Sequence, residues 1–360
     1  MSEPLKPDFT TILVEDVNLP YRKKAYKKLS YTDPILDSYQ AIVIADTVAQ
    51  GCSEDSRLTS LILRFPRVIL PEFNTHRVFS RNSASSRARS IRVTIEDVMT
   101  NPYIPLFTVN QKGMSGEYVT SEGREAAISN WLEARDSAVV HTLSLLLGEL
   151  FDKKYADHKT IASEWEKWVD LYYDKVYDNT GELKEGTSSI HKQNVNRILE
   201  PYMWHEVLVT SNFWKNFLEL RTEGSAQPEI QAISFLVKKA LEVSEASVSW
   251  IHLPFIDDEL IPSSTASFEE LKDLLMLSAT ECAQISYKDK SKAEKSTATT
   301  ALGYRLLKMK HLSPFEHIAI SLKNYDVKTN FLNVPDGVSG NFNSDWGQLR
   351  RLLNFEDVPR

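Results

Sequence analysis

Residues 75–90 read Thr-His-Arg-Val-Phe-Ser-Arg-Asn-Ser-Ala-Ser-Ser-Arg-Ala-Arg-Ser, and the interpretation of the whole chain begins from them. Between Arg64 and Arg92 the chain has seven arginines, no lysine and one acid, Glu72. Guanidinium groups donate hydrogen bonds in a rigid, planar fork that matches the oxygens of a phosphate. A solvated basic surface would mix in lysine and glutamate, so this composition favours an anion-binding site.

The rest of the chain limits what that anion can be. The 360 residues carry a net charge of −7, whereas binding along a nucleic-acid polymer needs many cations. We therefore expect a small anionic partner such as a nucleotide, and no nucleic-acid polymer. The alternative, a nucleic-acid-binding module built on the arginine run, predicts a steep dependence of binding on salt.

Composition predicts a cytoplasmic protein without a membrane segment. No apolar run is long enough to span a bilayer, and the N-terminal residues lack the apolar core of a signal peptide. Two cysteines, Cys52 and Cys282, make neither a disulfide framework nor a metal quartet, which fits a reducing compartment. No metal is assigned, because no ligand spacing such as i, i+4 relates His141, His158, His191, His205 and His252.

Hydrophobic patterning predicts a mixed α/β (α+β) fold, with a mixed sheet flanked by long helices. Residues 1–40 are polar and rich in tyrosine, and they are interpreted as an arm before a single domain of residues 41–360. Strands are predicted at Ala41–Ala45, Leu58–Phe65, Glu281–Tyr287 and Ile318–Leu322. Helices are predicted at Val68–Phe79, at 124–178 within a helical insertion of about 120–190, at Phe213–Leu220, from Pro228, after the capping box Ser267–Glu270, and at Thr299–Lys310.

Three separated segments carry a recognisable pattern. The first matches R-H-R-x-x-S-x-N-E-x-S-x-R-Y in register at His76, Arg77, Ser80, Asn82, Ser85 and Arg87, and departs from it at Thr75, Ser83 and Ala88. The second comprises Arg197-Ile-Leu-Glu-Pro201, Asn212 and Leu220–Ile230, and the third is His311-Leu-Ser-Pro-Phe-Glu-His317. Together they resemble the signatures of the flavin-dependent thymidylate synthases, the ThyX family.

The order of the segments differs from that of the family, in which the Phe-Glu-His segment comes before the arginine-rich one. Here it comes after, and Trp346-Gly-Gln348-Leu-Arg350 follows it, similar to the family's R-Q-W-x-R-H-R. This order is similar to that of divergent, virus-encoded members. It indicates a permuted or partly duplicated relative that builds the same pocket from a reordered chain.

The resemblance implies a ThyX-like fold and a reaction that depends on FAD. The flavin, reduced by NAD(P)H, would take a one-carbon unit from methylenetetrahydrofolate and deliver it to carbon 5 of a pyrimidine deoxynucleotide monophosphate, most simply converting dUMP to dTMP. Neither Cys52 nor Cys282 resembles the Pro-Cys site of the cysteine-dependent enzymes. The family's assembly implies a homotetramer or another homo-oligomer, with the aromatic helix at Trp165–Tyr177 as a candidate interface.

The resemblance also implies roles for individual residues. Flavin contacts are implied for His76, Arg77, Asn82, Asn212 and His317, and nucleotide contacts for Ser85, Arg87, Arg197 and Arg221. Catalytic roles are implied for Arg221, Arg197 and His317. Without the resemblance, His317 would be interpreted as a strand-entry histidine satisfied by backbone, and Arg221 as a cation that complements a helix dipole.

The departures from the pattern leave alternatives open. Thr75 removes one cation, which Arg350 or Arg351 would replace, and Ser225 stands where the family has a histidine. Glu72 stands where the family has glutamine, and a carboxylate accepts from an exocyclic amine, so dCMP is a hypothetical substrate in place of dUMP. Another alternative releases a hydroxymethyl product, because water rather than hydride quenches the one-carbon unit. A third is a nucleotide-binding relative without activity.

Overall fold

The computed structural model describes residues 6–19, 24–83, 89–148, 151, 157–178, 180–182, 184–185, 190–285, 300–331 and 337–353. The chain divides into two compact units. The unit called here the helical unit comprises Met1–Lys6, Pro66–Leu70 and Ser85–His205. The other, called the sheet unit, comprises Pro7–Phe65, Pro71–Ala84 and Glu206–Arg360.

The strands of the described residues are β1 (Ile12–Asn18), β2 (Ala25–Tyr31), β3 (Gln40–Ala49), β4 (Leu58–Pro66), β5 (Ser80–Ser83), β6 (Trp204–Ser211), β7 (Ser247–Ser249), β8 (Ile251–His252), β9 (Ala319–Ser321) and β10 (Trp346–Gln348). The helices are α1 (Leu70–Phe73), α2 (Ile91–Thr100), α3 (Ser121–Leu147), α4 (His158–Ser163), α5 (Trp165–Val176), α6 (Lys192–Val195), α7 (Lys215–Arg221), α8 (Pro228–Val243), α9 (Phe268–Gln284), α10 (Thr300–Lys308), α11 (Val327–Asn330) and α12 (Leu349–Leu352). Short 3-10 helices include Asn196–Tyr202 and Ser313–His317.

The larger sheet has the strand order β1-β2-β3-β4-β6-β5, and β7 joins β3 in parallel. The pairs β1–β2, β2–β3, β3–β4 and β5–β6 are antiparallel. A second sheet has the order β10-β9-β8 and is antiparallel. Strands β3 and β4 are buried along most of their length, as their runs of aliphatic residues predict. The predicted mixed α/β (α+β) class is confirmed.

Residues 12–31, assigned from sequence to an arm, instead form strands β1 and β2 at one end of the larger sheet. Ile12 pairs with Tyr31 in their antiparallel register. The stretch looks polar in sequence, yet Tyr26, Leu29, Ser30 and Tyr31 of β2 are buried. The Tyr31 hydroxyl donates to the carbonyl of Ala232 at 2.6 Å, which ties β2 to α8.

Two helix and strand predictions need correction. The strand predicted at Glu281–Tyr287 is wrong as far as Gln284, because α9 continues through these residues with Ala279, Cys282 and Ala283 buried at helical spacing. The helix predicted at Val68–Phe79 ends at Phe73, and the chain then turns so that the Thr75 amide donates to the carbonyl of Glu72 at 3.0 Å. The capping box at Ser267 and the first-turn position of Pro228 are confirmed.

The helical unit is organised around its own apolar core. Helices α2, α3, α5 and the 3-10 helix Asn196–Tyr202 contribute the fully buried Ile95, Leu143, Val169 and Leu199. The predicted helical content of 124–178 is confirmed by α3, α4 and α5. Trp165, Tyr172 and Val176 are buried in this same core, so the apolar face of α5 packs inside the unit.

In the sheet unit, α9 and the smaller sheet contribute to one apolar core. Leu275 of α9, Ile251 of β8 and Ile320 of β9 belong to one buried cluster with Phe315. Phe315 lies in the 3-10 helix Ser313–His317, so this core also holds the Phe-Glu-His segment in place.

Candidate functional site

The arginine-rich segment enters the sheet unit through an aromatic cluster. Phe73 at the end of α1, Phe79 before β5 and Phe217 in α7 pack together, with ring centroids 5.4–5.6 Å apart. The ring of His76 lies edge-on to Phe217, with centroids 4.9 Å apart. Burial of these rings makes the chain turn after Phe73, which brings His76 inward and starts β5 at Ser80.

His76 and Glu72 hold Arg221 from two sides. Arg221 Nε donates to His76 Nε2 at 3.0 Å, and Arg221 Nη1 forms an ion pair with Glu72 Oε1. Burial, aided by the nearby charges of Arg221 and Arg81, lowers the pKa of His76 to about 4. The histidine is therefore neutral at neutral pH and can accept the hydrogen bond. The Arg221 side chain is 13% exposed, and it is positioned by two specific partners as well as by its place at a helix end.

His317 lies at the end of a buried hydrogen-bonded chain, called here the histidine chain. Its members are Thr47, His252, Ser60, Thr210 and His317. The consecutive distances are 2.9 Å from Thr47 Oγ1 to His252 Nδ1, 2.8 Å from His252 Nε2 to Ser60 Oγ, 2.6 Å from Ser60 Oγ to Thr210 Oγ1, and 2.8 Å from Thr210 Oγ1 to His317 Nδ1. His317 is thus held by a side chain of β6 and not by backbone. Burial lowers the pKa of both histidines to about 3, so both are neutral.

The direction of the hydrogen bonds in the histidine chain follows from counting donors. When Thr47 donates to His252, each hydroxyl and ring N–H donates onward, and His317 Nε2 carries a proton. In the reverse direction the Thr47 hydroxyl proton would have no acceptor among the described residues, and His317 Nε2 would be an acceptor without a donor. The first direction leaves fewer buried groups unpaired, so it assigns an N–H to His317 Nε2.

Gln348 joins the arginine-rich segment to the Phe-Glu-His segment. Its Nε2 donates to Ser80 Oγ and to the carbonyl of Glu316, both at 3.0 Å. The Glu316 carboxylate in turn forms an ion pair with Arg350. Gly340, at φ 58°, leaves room for this amide, because a Cβ there would overlap Gln348 Oε1. Three of the segments quoted from the sequence therefore meet around β5 within the sheet unit.

The remaining predicted site residues differ in where they lie and in what they contact. Arg197 is exposed in the 3-10 helix Asn196–Tyr202 of the helical unit, and Arg77 is exposed before β5. Asn82 donates to the carbonyl of Cys282 at 2.6 Å. Asn212 donates to the carbonyls of Ser56 and Arg57 at 3.1 and 2.7 Å, and its Oδ1 accepts from the backbone N–H of Asn343 at 3.2 Å. Ser85 and Arg87 lie outside the described residues.

The amide of Asn212 is thus used to hold the backbone, and a flavin contact by it stays a prediction. Ser80, one of the residues that match the pattern, is the first residue of β5 and accepts from Gln348. Sequence reasoning gave no role to Arg81, Gln348 or Thr210. The position of Arg81 in the sequence could have marked it as a candidate site residue, because it lies between Ser80 and Asn82, which both match the family pattern.

Comparison with known proteins adds no assignment: no family model and no curated protein matches the chain. Among the described residues, no helix has the length and apolar character needed to cross a membrane. Within the same part of the chain, no group of three or more His, Cys, Asp or Glu side chains is placed to hold a metal ion.

Proposed function

We propose that the chain is a flavin-dependent enzyme with a ThyX-like fold that transfers a one-carbon unit from methylenetetrahydrofolate to carbon 5 of a pyrimidine deoxynucleotide monophosphate, most simply dUMP. The proposal rests on one observation above all: Gln348 bridges Ser80 and the backbone of Glu316, so segments far apart in sequence converge at β5. These are the segments that resemble the family. Assembly as a homotetramer belongs to the same proposal.

The donors around β5 fit ligands rich in phosphate and carbonyl oxygens. Arg221, Arg81 and Arg350 contribute guanidinium groups, and Arg81 Nη1 is buried without a hydrogen-bond partner in the described residues. FAD and a nucleotide monophosphate both present such oxygens. When bound, FAD would supply the redox chemistry, with NAD(P)H as the reductant.

The side chains of the site would bind the nucleotide and polarise its pyrimidine ring. Arg221 is held rigidly by His76 and Glu72, so it can face negative charge that develops on the pyrimidine ring without first reorganising. His76 stays neutral there, so it orients the guanidinium without adding a repelling charge. His317, fully buried, would fix Thr210 and β6 behind the site.

The hydrogen bonding of the Glu72 carboxylate favours a second substrate. Its Oε1 is taken by Arg221, while Oε2 has no hydrogen bond to any described residue. A carboxylate oxygen of this kind accepts from the exocyclic amine of cytosine but repels the carbonyl of uracil. The observation favours dCMP as the alternative to dUMP, with a methyl or a hydroxymethyl product.

The test uses the purified protein with FAD, NADPH, methylenetetrahydrofolate, and dUMP or dCMP supplied separately. We expect a yellow protein with flavin absorption bands and a product heavier than the substrate by one carbon unit. Mass spectrometry separates the methyl from the hydroxymethyl product. A protein that binds nucleotide but neither binds flavin nor forms product would instead be the inactive relative.

A further inference from the structure

Three guanidinium groups lie around β5, those of Arg81, Arg221 and Arg350. Arg81 is the one whose charge no ion pair of the described residues neutralises. Arg221 is paired with Glu72, and Arg350 is paired with Glu316. Arg81 is attracted electrostatically by Glu316 but forms no salt bridge with it, and Glu316 forms an ion pair with Arg350. Among the described residues, each of the other two guanidinium groups therefore has a carboxylate partner, whereas Arg81 has none.

The charge of Arg81 is partly withdrawn from water. Arg81 lies in the edge strand β5, paired through its backbone with Val209 of β6, and its side chain is half-buried. Its Nη1 atom is buried and has no hydrogen-bond partner in the described part of the chain. Burial lowers the pKa of the guanidinium, which records the unfavourable desolvation. Leaving a charged donor in this state costs free energy.

A structural arginine would be expected to have its hydrogen bonds satisfied, as Arg57 does with Asp46 and two backbone carbonyls. Arg81 has instead the surroundings of a residue whose partner is an anion brought from solution. Strained or unsatisfied groups of this kind are typical of binding sites, where stability is lower than it could be.

We propose that Arg81 is an anion-binding residue and that it takes a phosphate group. The phosphate belongs either to the nucleotide monophosphate or to the diphosphate of a dinucleotide cofactor. Arg81, rather than Arg350 or Arg351, would then supply the cation that Thr75 removes. The inference deepens the proposed function, but it concerns binding alone and does not require turnover.

The first test is the stability of Arg81→Gln without ligand, measured by thermal unfolding. We expect its Tm to be higher than that of the wild type by a measurable shift, because the change removes a desolvated, unpaired charge. Arg305→Gln makes the same charge change at an exposed position of α10 and should leave Tm unchanged. A Tm of Arg81→Gln lower than that of the wild type would show a structural role and overturn the proposal.

The second test is binding by calorimetry, with inorganic phosphate, dUMP and FAD as probes and deoxyuridine and riboflavin as their uncharged counterparts. We expect Arg81→Gln to lose about tenfold or more in affinity for inorganic phosphate and for one of the two charged ligands, since a charge-assisted hydrogen bond is lost. The affinity for the uncharged counterparts should not change, and Arg305→Gln should bind every probe like the wild type. A loss confined to dUMP identifies the nucleotide, and a loss confined to FAD identifies the cofactor.

Equal affinities of the wild type and Arg81→Gln for all three charged probes would overturn the inference, as would a wild type that binds none of them. Failure of the proposed function looks different. In that case the binding of phosphate probes still depends on Arg81, but no one-carbon product forms from dUMP or dCMP.

Discussion

The ring of His76 accepts a hydrogen bond from Arg221 Nε at 3.0 Å, and it can do so only while Nε2 carries no proton. The position of the arginine therefore depends on the charge of the histidine. The pKa of His76 is lowered to about 4, so the bond is present at neutral pH and is lost only as the solution becomes strongly acidic.

Removing the acceptor should destabilise the sheet unit. His76→Leu leaves Arg221 Nε without its partner in a side chain that is 13% exposed, and an unsatisfied donor of this kind costs about 1–3 kcal/mol. Urea unfolding would measure the loss. His76→Gln keeps an oxygen that can accept and should retain most of the stability; equal stability of the leucine variant and the wild type would contradict the assignment.

Stability should fall as the pH is lowered from about 6.5. Burial lowers the folded-state pKa of His205, His252 and His317 to about 3 and that of His76 to about 4, against an ordinary value of 6.5. Between these values the unfolded chain binds more protons than the folded one, so the free energy of unfolding rises with pH and this contribution is complete above 6.5. Denaturant midpoints at pH 5 and pH 7 would measure the slope.

The matched control for the pH dependence is a substitution of an exposed histidine. His252→Gln removes a buried histidine and should reduce the slope. His158→Gln makes the same substitution at the exposed surface of α4 and serves as the control. A stability that does not vary between pH 5 and pH 7 would show that burial does not lower the pKa values of these rings.

The tautomers of the histidine chain should be fixed by Thr47. In the wild type we expect His252 and His317 both to be protonated at Nε2 and not at Nδ1, as nitrogen-15 chemical shifts of the imidazoles would show. Thr47→Val removes the first donor, so both rings should populate the two tautomers, whereas Thr47→Ser should preserve the wild-type spectrum. Protonation of His317 at Nδ1 in the wild type would reverse the direction assigned to the chain.

Gly340 should tolerate substitution less well than Gly337. Both have positive φ, 58° and 74°, so an alanine at either is strained by roughly 1–2 kcal/mol. At Gly340 the added Cβ would also overlap the Gln348 side chain, whereas at Gly337 it meets no atom of the described residues within 4 Å. The difference in unfolding free energy between the two alanine variants therefore measures the displacement of Gln348. Equal losses would show that this amide moves freely.

Local features of the fold were predictable, because they depend on residues close in sequence. The aliphatic runs of β3 and β4, the first-turn Pro228 of α8 and the capping box of α9 each carry their own signal. The end of α9 was not predictable in this way. Its last residues alternate enough to suggest a strand, and only packing against the core settles them as helix.

The candidate site was predictable in part. The resemblance singled out His76, Arg221 and His317, whose side chains make specific polar contacts in the sheet unit. The ion pair of Glu72, and the lack of one at Arg81 among the described residues, depend on distances between separate elements, which composition and spacing do not encode. The histidine chain takes its five residues from strands β3, β4, β6 and β8 and from the 3-10 helix Ser313–His317, so no local pattern reveals it.

The hydrogen bond from Gln348 to Ser80 spans 268 positions of the chain, and this separation has a consequence for biosynthesis. Ser80 leaves the ribosome long before Gln348, and β5 is also synthesised before its pairing strand β6, so the edge of β5 that pairs with β6 is uncovered at first. An uncovered strand edge is a place where nascent chains associate wrongly. A chaperone that shields such an edge would be expected to improve the yield of folded protein, and a slower rate of translation to lower it.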